Sequence, residues 1–192
     1  TDVKTRGIGD QVTYKAKDHT VVGGFDWRQD KVLNMGSVKL TNTSYFIQDE
    51  WKFAPKWTVT PGIRVDHHSS FGTPPSISLG YDVNEKTNVY AAYKEYFLAP
   101  TPYQLFDGFN GNRNLKPETG HEFDLGVHHK SGKTWNSNLS FFSRSTKDKI
   151  GWVMTDPANF TGQYRNFDTE KARGINADVR KQLTNHLSAR LG

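Results

Sequence analysis

The segment Gly120-His121-Glu122-Phe123-Asp124-Leu125-Gly126-Val127 alternates polar or small residues with apolar ones. The same period of two recurs in residues 76–83 and 173–182. Because successive side chains of a β-strand point to opposite faces, each stretch predicts a strand with one apolar and one strongly polar face. A soluble β-sandwich and a transmembrane β-barrel both show this alternation, so turns, loops and aromatic residues must distinguish them.

The composition fits a β structure with wet surfaces. The 192 residues suffice for one ordinary domain; 34% are hydrophobic and 13% aromatic, with a mean hydropathy of -0.74. Disordered chains are typically poor in aromatic residues. The absence of cysteine excludes disulfides and cysteine metal sites. Acidic and basic residues are interspersed within a net charge of +5, which favours a solvated surface over a nucleic-acid partner.

No run of about 18 apolar residues is present, so the sequence predicts no transmembrane helix. Barrel strands escape this criterion, since only every second residue faces lipid. Residues 1–4 lack the apolar core of a signal peptide, and residues 187–192 stop within an alternating stretch. We therefore expect a fragment of a longer protein.

The pattern predicts an all-β chain of about ten strands, because helical periodicity is nearly absent. The predicted strands are 10–16, 20–30, 40–53, 57–68, 76–83, 87–97, 119–130, 134–146, 163–182 and 186–192. The pattern also allows the first strand to begin before residue 10. Short connections at 17–19, 54–56, 84–86, 131–133 and 183–185 alternate with long ones at 31–39, 69–75, 98–118 and 147–162. Tight turns at one end and loops at the other indicate antiparallel up-and-down topology, which is typical of transmembrane barrels.

Aromatic residues and side-chain parity predict how the sheet faces its surroundings. Aromatic residues flank the short turns, where an interfacial girdle belongs, although hairpin-end packing in a soluble sheet gives the same pattern: Trp51, Phe53, Trp57 and Trp135. The residues predicted to face lipid are Val21, Gly23, Phe25, Trp27, Val59, Ile63, Val65, Ile77, Leu79, Tyr81, Phe123, Leu125, Val127, Leu139 and Phe141. Those predicted to face the lumen are Asp26, Arg28, Arg64, Asp66, Glu122, Asp124, Asn136, Asn138, Asn176, Asp178 and Arg180. Asp49 has the same strand parity as the residues predicted to face lipid. The sequence offers no explanation for a carboxylate there beyond its proximity to the membrane interface.

Four short elements follow one another along the chain. They are Trp51-Lys52-Phe53 with Pro61-Gly62-Ile63-Arg64-Val65-Asp66, then Phe97-Leu98-Ala99-Pro100 with Asn112-Arg113-Asn114-Leu115-Lys116-Pro117-Glu118, then the strand Thr119–Val127, and last Lys171-Ala172-Arg173-Gly174-Ile175-Asn176-Ala177. In this order they resemble the TonB-dependent outer-membrane receptors, which usually have Glu where Asn176 stands. The resemblance covers nearly the whole chain, and its specificity comes from the order, because each element alone is weak.

This resemblance implies that residues 1–192 are part of a 22-stranded transmembrane β-barrel in the bacterial outer membrane, without the plug domain and the last strands. It implies uptake of an iron complex, a ferric siderophore or haem. The expected partners are the TonB energy-transducing complex, acting through the absent plug, and outer-membrane lipid. No cofactor is expected. The open edges of such a fragment need completion by missing strands, by another chain or by closure into a smaller barrel.

Two other interpretations stay open. The chain is a passive porin or a structural outer-membrane barrel in the first, and a soluble β-sandwich binding module in the second. No Ser-His-Asp set, phosphate loop or His-Glu-x-x-His motif appears, so we expect no enzyme. Glu122 and Asp124 share one strand face and are expected to line a wet lumen rather than to form an acid/base pair.

Ligand contacts are expected in the loop at 98–118. Tyr103, Phe106 and Phe109 suit stacking on a planar or catecholate ligand, and Arg113 with Lys116 suits attraction of an anionic ferric complex. The same aromatic residues are equally suited to pack the loop onto itself or onto a plug.

A histidine is the candidate for a different ligand. His68 has inward parity at the loop end of a strand, and imidazole binds haem iron, so it is a candidate haem ligand. A polar strand end is the simpler interpretation of the same residue.

Overall fold

The computed structural model describes residues 3–32, 38–67, 71–132, 134–184 and 186–192, and most of them lie in strands. The strands are β1 (Val3–Ala16), β2 (His19–Val32), β3 (Val38–Ala54), β4 (Trp57–His67), β5 (Phe71–Gly72), β6 (Pro75–Asn84), β7 (Thr87–Leu98), β8 (Glu118–Ser131), β9 (Trp135–Lys147), β10 (Ile150–Asp156), β11 (Thr161–Asn166), β12 (Glu170–Gln182) and β13 (Ser188–Leu191). Within the described ranges the one helix is α1 (Pro102–Phe106), between β7 and β8. The all-β prediction is confirmed.

The main sheet follows the chain from strand to strand. Its order is β1-β2-β3-β4-β6-β7-β8-β9-β12-β13, every pairing is antiparallel, and β5 pairs with β4 beside this path. The predicted up-and-down topology is confirmed, with short connections at one end of the sheet and long ones at the other. β1 starts at Val3, earlier than residue 10.

The prediction of one strand over 163–182 is wrong. β11 ends at Asn166 and pairs with β10 in a separate two-stranded hairpin, and β12 enters the main sheet at Glu170. The predicted loop at 147–162 therefore contains β10. The alternation of apolar and polar residues stops at Asp168-Thr169-Glu170-Lys171, four polar residues in succession, and this interruption coincides with the break between β11 and β12.

The register joins apolar residues of successive strands into continuous rows on one face. Directly paired residues of antiparallel strands share a face. One row is Trp51, Val59, Leu79, Ala91, Leu125, Phe141 and Ile175, and the next is Trp57, Tyr81, Val89, Val127 and Leu139. Leu125 is 53% exposed, and along β8 exposed and covered residues alternate. The predicted grouping of apolar side chains on one outward face is confirmed.

The opposite face carries the charged residues, and they pair across strands. Arg64 lies 3.1 Å from Asp26 and 3.0 Å from Asp66. Lys94 lies 2.7 Å from Glu122, its direct partner on the next strand. Opposite charges at facing positions stabilise a sheet. The residues predicted for the lumen thus form a polar face held together by ion pairs.

Two glycines on this polar face allow aromatic rings to lie flat against the sheet. A Cβ at Gly120 would come within 2.4 Å of the Tyr96 ring, and one at Gly174 within 2.7 Å of the Phe142 ring. Each ring belongs to the residue directly paired with that glycine. The glycine of the Lys-Ala-Arg-Gly element therefore has a packing reason in this fold.

An aromatic cluster covers the short-turn end of the outward face. Ring centroids are 5.8 Å apart for Trp51 and Phe53, 6.4 Å for Phe53 and Trp57, and 4.6 Å for Trp57 and Tyr81. All four residues lie near the turns that join β3 to β4 and β6 to β7. This arrangement has the form of the predicted girdle.

The outward Asp49 has a partner that the sequence pattern did not reveal. Its carboxylate lies 2.7 Å from Nδ1 of His19, the neighbouring outward residue of β2. The His19 ring stacks on Trp51 with centroids 5.5 Å apart. One carboxylate oxygen is thus compensated by a hydrogen bond within the aromatic cluster, whereas the other, Oδ1, is buried without a hydrogen-bond partner among the described residues.

The face assignment makes a prediction for membrane assembly of the full-length protein. Leu125→Arg should strongly reduce the folded, membrane-inserted fraction, because an arginine on the lipid face near the bilayer midplane costs about 2–4 kcal/mol. His128→Arg is the matched control, since it adds the same group to the polar face of the same strand, and Asp124→Asn is a milder second control. The folded fraction is measured by heat-modifiable gel mobility of outer-membrane extracts. Equal losses for Leu125→Arg and His128→Arg would contradict the assignment.

Candidate functional site

The loop that joins β7 to β8 is docked on the β10–β11 hairpin by reciprocal hydrogen bonds. The Tyr164 N–H donates to the Asn110 carbonyl at 2.9 Å, and the Asn112 side chain donates to the Tyr164 carbonyl at 2.9 Å. Asn166 fixes the far end of the loop, accepting from the Lys116 N–H and donating to its carbonyl, both at 2.9 Å. Loop and hairpin therefore form one unit at the long-loop end of the sheet.

This docking explains the Asn-x-Asn-Leu-x-Pro-Glu element in physical terms. Asn112 turns the chain by accepting from the Asn114 N–H at 2.9 Å, in addition to its bond to the hairpin. Leu115 is buried beneath the loop. Glu118 accepts from the Ile150 N–H at 2.9 Å, where the hairpin begins. Each of these residues ties the loop to the hairpin or anchors it against the sheet.

The start of the loop is equally well defined. Thr101 accepts from the Gln104 N–H, and the Gln104 side chain accepts from the Thr101 N–H, which completes a capping box for α1. Leu105 points inward and is buried. Local hydrogen bonds thus specify the loop conformation before any ligand is considered.

Asp107 closes the turn that follows α1. Its carboxylate accepts from the backbone N–H groups of Phe109 and Asn110 and from the Asn110 side chain. These donors, the Asn110 N–H first, lower the pKa of Asp107 below its ordinary value, because they favour the charged form. A lowered pKa means that this contribution to loop stability is present at neutral pH and is lost only when acid protonates the carboxylate.

The loop residues predicted to contact a ligand differ in their surroundings. Tyr103 packs edge-on against Tyr164 of the hairpin, with centroids 6.0 Å apart. The Arg113 guanidinium lies over the Phe106 ring, 5.4 Å from its centroid. Phe109 is 94% exposed at the tip of the loop. The structure thus engages Tyr103 and Phe106 within the loop–hairpin unit and presents Phe109 to solvent.

The candidate haem ligand, His68, lies outside the described residues, and its role stays a prediction. His67, the last residue of β4, has an outward position paired with Thr43. The other four predicted residues, Tyr103, Phe106, Phe109 and Arg113, are all in the one loop between β7 and β8.

The hairpin adds aromatic residues that the sequence analysis missed. Trp152 is exposed and donates through Nε1 to the Asn110 side chain at 2.9 Å, next to Phe109. Phe160, at the hairpin tip, is 79% exposed with a φ of 50°. Asp156 shapes that tip by accepting hydrogen bonds from the N–H groups of Ala158 and Asn159, which form an Asx-turn. The sequence analysis treated 147–162 as one loop and did not identify this turn.

The loop–hairpin unit forms a rim at the long-loop end of the sheet, and a groove on the polar face lies below this rim. It has a volume of about 640 Å³, and its lining includes Arg28, Arg64, Lys94, Phe46 and Tyr96. The Phe97-Leu98-Ala99-Pro100 element also lines it, at the start of the docked loop. The rim and the groove are therefore joined by one segment of chain, and polar, charged and aromatic side chains suit them for binding.

In the part of the chain that the structure describes, no group of three or more His, Asp or Glu side chains is placed to hold a metal ion. No helix in these ranges is long and apolar enough to cross a bilayer.

The docking of the loop makes a prediction of its own. Asn166→Ala should expose the loop at 99–117 to protease, because the substitution removes the bonds to both backbone groups of Lys116. Asn114→Ala is the control, since that exposed side chain takes no part in the docking bonds. Limited proteolysis of the folded full-length protein measures the effect. Identical cleavage rates for the two variants would mean that the hairpin does not hold the loop.

Comparisons with known proteins agree with this architecture. The family profile described as "TonB dependent receptor-like, beta-barrel" matches residues 2–192. A vitamin B12 transporter, BtuB of Vibrio cholerae, is 30% identical over 164 residues, which are 76% of this chain and 26% of that protein. An iron-regulated outer membrane virulence protein of the same species is 32% identical over 154 residues, or 72% of this chain and 24% of its own length.

The fold also matches solved structures. The siderophore receptor PirA from Pseudomonas aeruginosa superposes with a TM-score of 0.77 at 22% identity, covering 97% of this chain and 38% of that one. The chain thus spans about a quarter of the curated relatives and about a third of the receptor structure. It belongs to the TonB-dependent receptor β-barrel family of the bacterial outer membrane.

Proposed function

We propose that this chain is part of the barrel of an outer-membrane receptor that takes up an anionic ferric siderophore. Family membership supports the receptor class, and the proteins named above are a vitamin B12 transporter, an iron-regulated outer membrane virulence protein and a siderophore receptor. Two of these names describe a transporter and a receptor, which agrees with the expectation of binding rather than catalysis.

The exposed ring of Phe109 is the observation that carries the siderophore proposal. Phe109 is 94% exposed, so a ligand that covers its ring removes apolar surface from water, and the docked loop holds the ring in place at the rim. The Arg113 guanidinium, supported by the Phe106 ring, lies in the same loop. An aromatic face beside a cation suits a catecholate ring carrying negative charge.

The groove on the polar face extends the proposal from the rim inward. Its cations have acidic partners, as in the contact of 3.1 Å between Arg28 and Asp30. An anion at the rim is therefore attracted by Arg113, whereas the groove beneath offers paired charges that hold a passing complex only weakly. We propose that the chelate binds first at the rim and then moves along the groove.

Energy for uptake is proposed to come from a TonB-type partner. In this proposal the partner contacts a plug domain of the same receptor, and residues 1–192 contribute barrel wall, rim and groove. Haem and a corrinoid are the competing ligands: His68 suggests the first, and similarity to a vitamin B12 transporter suggests the second.

Binding assays on the full-length receptor test the ligand class. Affinities for ferric enterobactin, hemin and cyanocobalamin are measured by quenching of intrinsic fluorescence. We expect ferric enterobactin to bind most tightly, and Phe109→Ala and Arg113→Gln each to weaken it about three- to tenfold, the usual range for one aromatic or cation–π contact.

Phe53→Ala is the matched control, because it removes a phenylalanine at the opposite end of the barrel wall. Preference for cyanocobalamin or hemin would contradict the siderophore proposal. Unchanged affinity of both loop variants for the preferred ligand would remove this loop from the binding site.

A further inference from the structure

Three lysines stand in one row on the outward face at the loop end of the sheet. Lys4 of β1 pairs directly with Lys31 of β2, which pairs directly with Lys39 of β3. Arg6 lies two residues further along β1, opposite Gln29. Like charges at directly opposed positions of a sheet destabilise it.

This lysine row belongs to the membrane-facing surface. Lys4 and Arg6 share the parity of Ile8, whose partner is the outward Trp27. β1 and β2 are 14 residues long, so they rise roughly 35 Å above their turn at about 3.3 Å per residue and a tilt of about 40°. The apolar band of a membrane barrel is about 25 Å tall. The row therefore lies just beyond the band, at headgroup level.

The row differs from the charges of the polar face in having no acidic neighbour. Arg28 and Arg64 on the polar face pair with aspartates at 3.1 and 3.0 Å. Across the described ranges, no ion pair forms to any lysine of the row or to Arg6. Asp30, the nearest acid along β2, has the opposite parity and bonds Thr5 and Arg28.

We propose that the lysine row binds the phosphate groups of an anionic lipid headgroup in the leaflet on the loop side of the membrane. A cavity of about 260 Å³ there is lined by the three lysines with Arg6 and Gln29. Phosphate neutralises cations that otherwise repel one another, and arginine and glutamine supply further donors to its oxygens. Clusters of basic residues beside a membrane recognise anionic headgroups in this way.

The position of the row favours a lipid over a soluble anion. Below the row and the Arg6–Gln29 pair, the same face carries the apolar side chains of Ile8 and Trp27, so an acyl chain reaches these two residues while its headgroup meets the cations. A soluble phosphate compound has no use for that apolar surface. The occupant therefore combines phosphate with hydrocarbon.

The test uses the full-length receptor in nanodiscs of phosphatidylcholine, with and without diphosphoryl lipid A. The variant Lys4→Gln/Lys31→Gln/Lys39→Gln should bind lipid A about a hundredfold more weakly, since each of the three cations near a membrane surface contributes about fivefold. Its melting temperature in phosphatidylcholine alone should exceed that of the wild type, because the repulsion is gone. Lipid A should raise the melting temperature of the wild type and leave that of the variant unchanged.

The control Lys15→Gln/Lys17→Gln/Lys52→Gln removes the same charge from exposed lysines at the short-turn end. It should bind lipid A like the wild type. Equal loss in both triple variants would show an effect of net charge and overturn the proposal. So would stabilisation of the wild type by inorganic phosphate to the same degree as by lipid A, or an unaltered response of the row variant.

Discussion

Backbone hydrogen bonding is the constraint on which the rest of this structure depends. In the hydrocarbon of a bilayer an unpaired N–H or C=O group is too costly to persist, so a chain that crosses by strands must pair them along their length. Long antiparallel strands satisfy this condition from β1 to β12, with local register shifts between Trp51 and Ala54 and between Asp82 and Asn84, close to short turns. Once the register is set, the period of two decides which face each side chain lies on: odd residues of β8 lie on the outward face and even residues on the polar face.

The two faces handle charge in different ways. On the polar face, carboxylates and guanidinium groups pair across neighbouring strands, as Arg64 does with two aspartates. On the outward face, polar groups are confined to the ends, with the His19–Asp49 pair at the turns and the lysine row at the loops. Asp10 is the exception, since it pairs with the outward Phe25, and nothing in the structure explains it. The loop–hairpin unit lies at the long-loop end of the sheet, where Phe109 and Phe160 are exposed to solvent.

Much of the fold was predictable from the sequence because alternation and turn spacing are local signals. The strand order, the outward rows through Leu125 and the ion-paired polar face all follow from them. The β10–β11 hairpin was missed, although four consecutive polar residues, 168–171, interrupt the alternation between β11 and β12 and an Asx-turn at Asp156 marks the tip. The loop at 98–118 was singled out by its motif, but its docking was not: Asn112 and Asn166 form hydrogen bonds to residues 52 and 50 positions away, and sequence pattern carries no record of such contacts.

The most direct test is to measure lipid contact at each residue of β8 in turn, because one face of each strand should meet lipid and the other a polar lumen. Residues 119–128 are replaced one at a time by cysteine, which this segment lacks, and labelled with a fluorophore in the full-length receptor in bilayers. Quenching by a lipid-borne quencher should alternate, high at 123, 125 and 127 and low at 122, 124 and 126. Uniform quenching, or alternation with the opposite phase, would contradict this account of the fold.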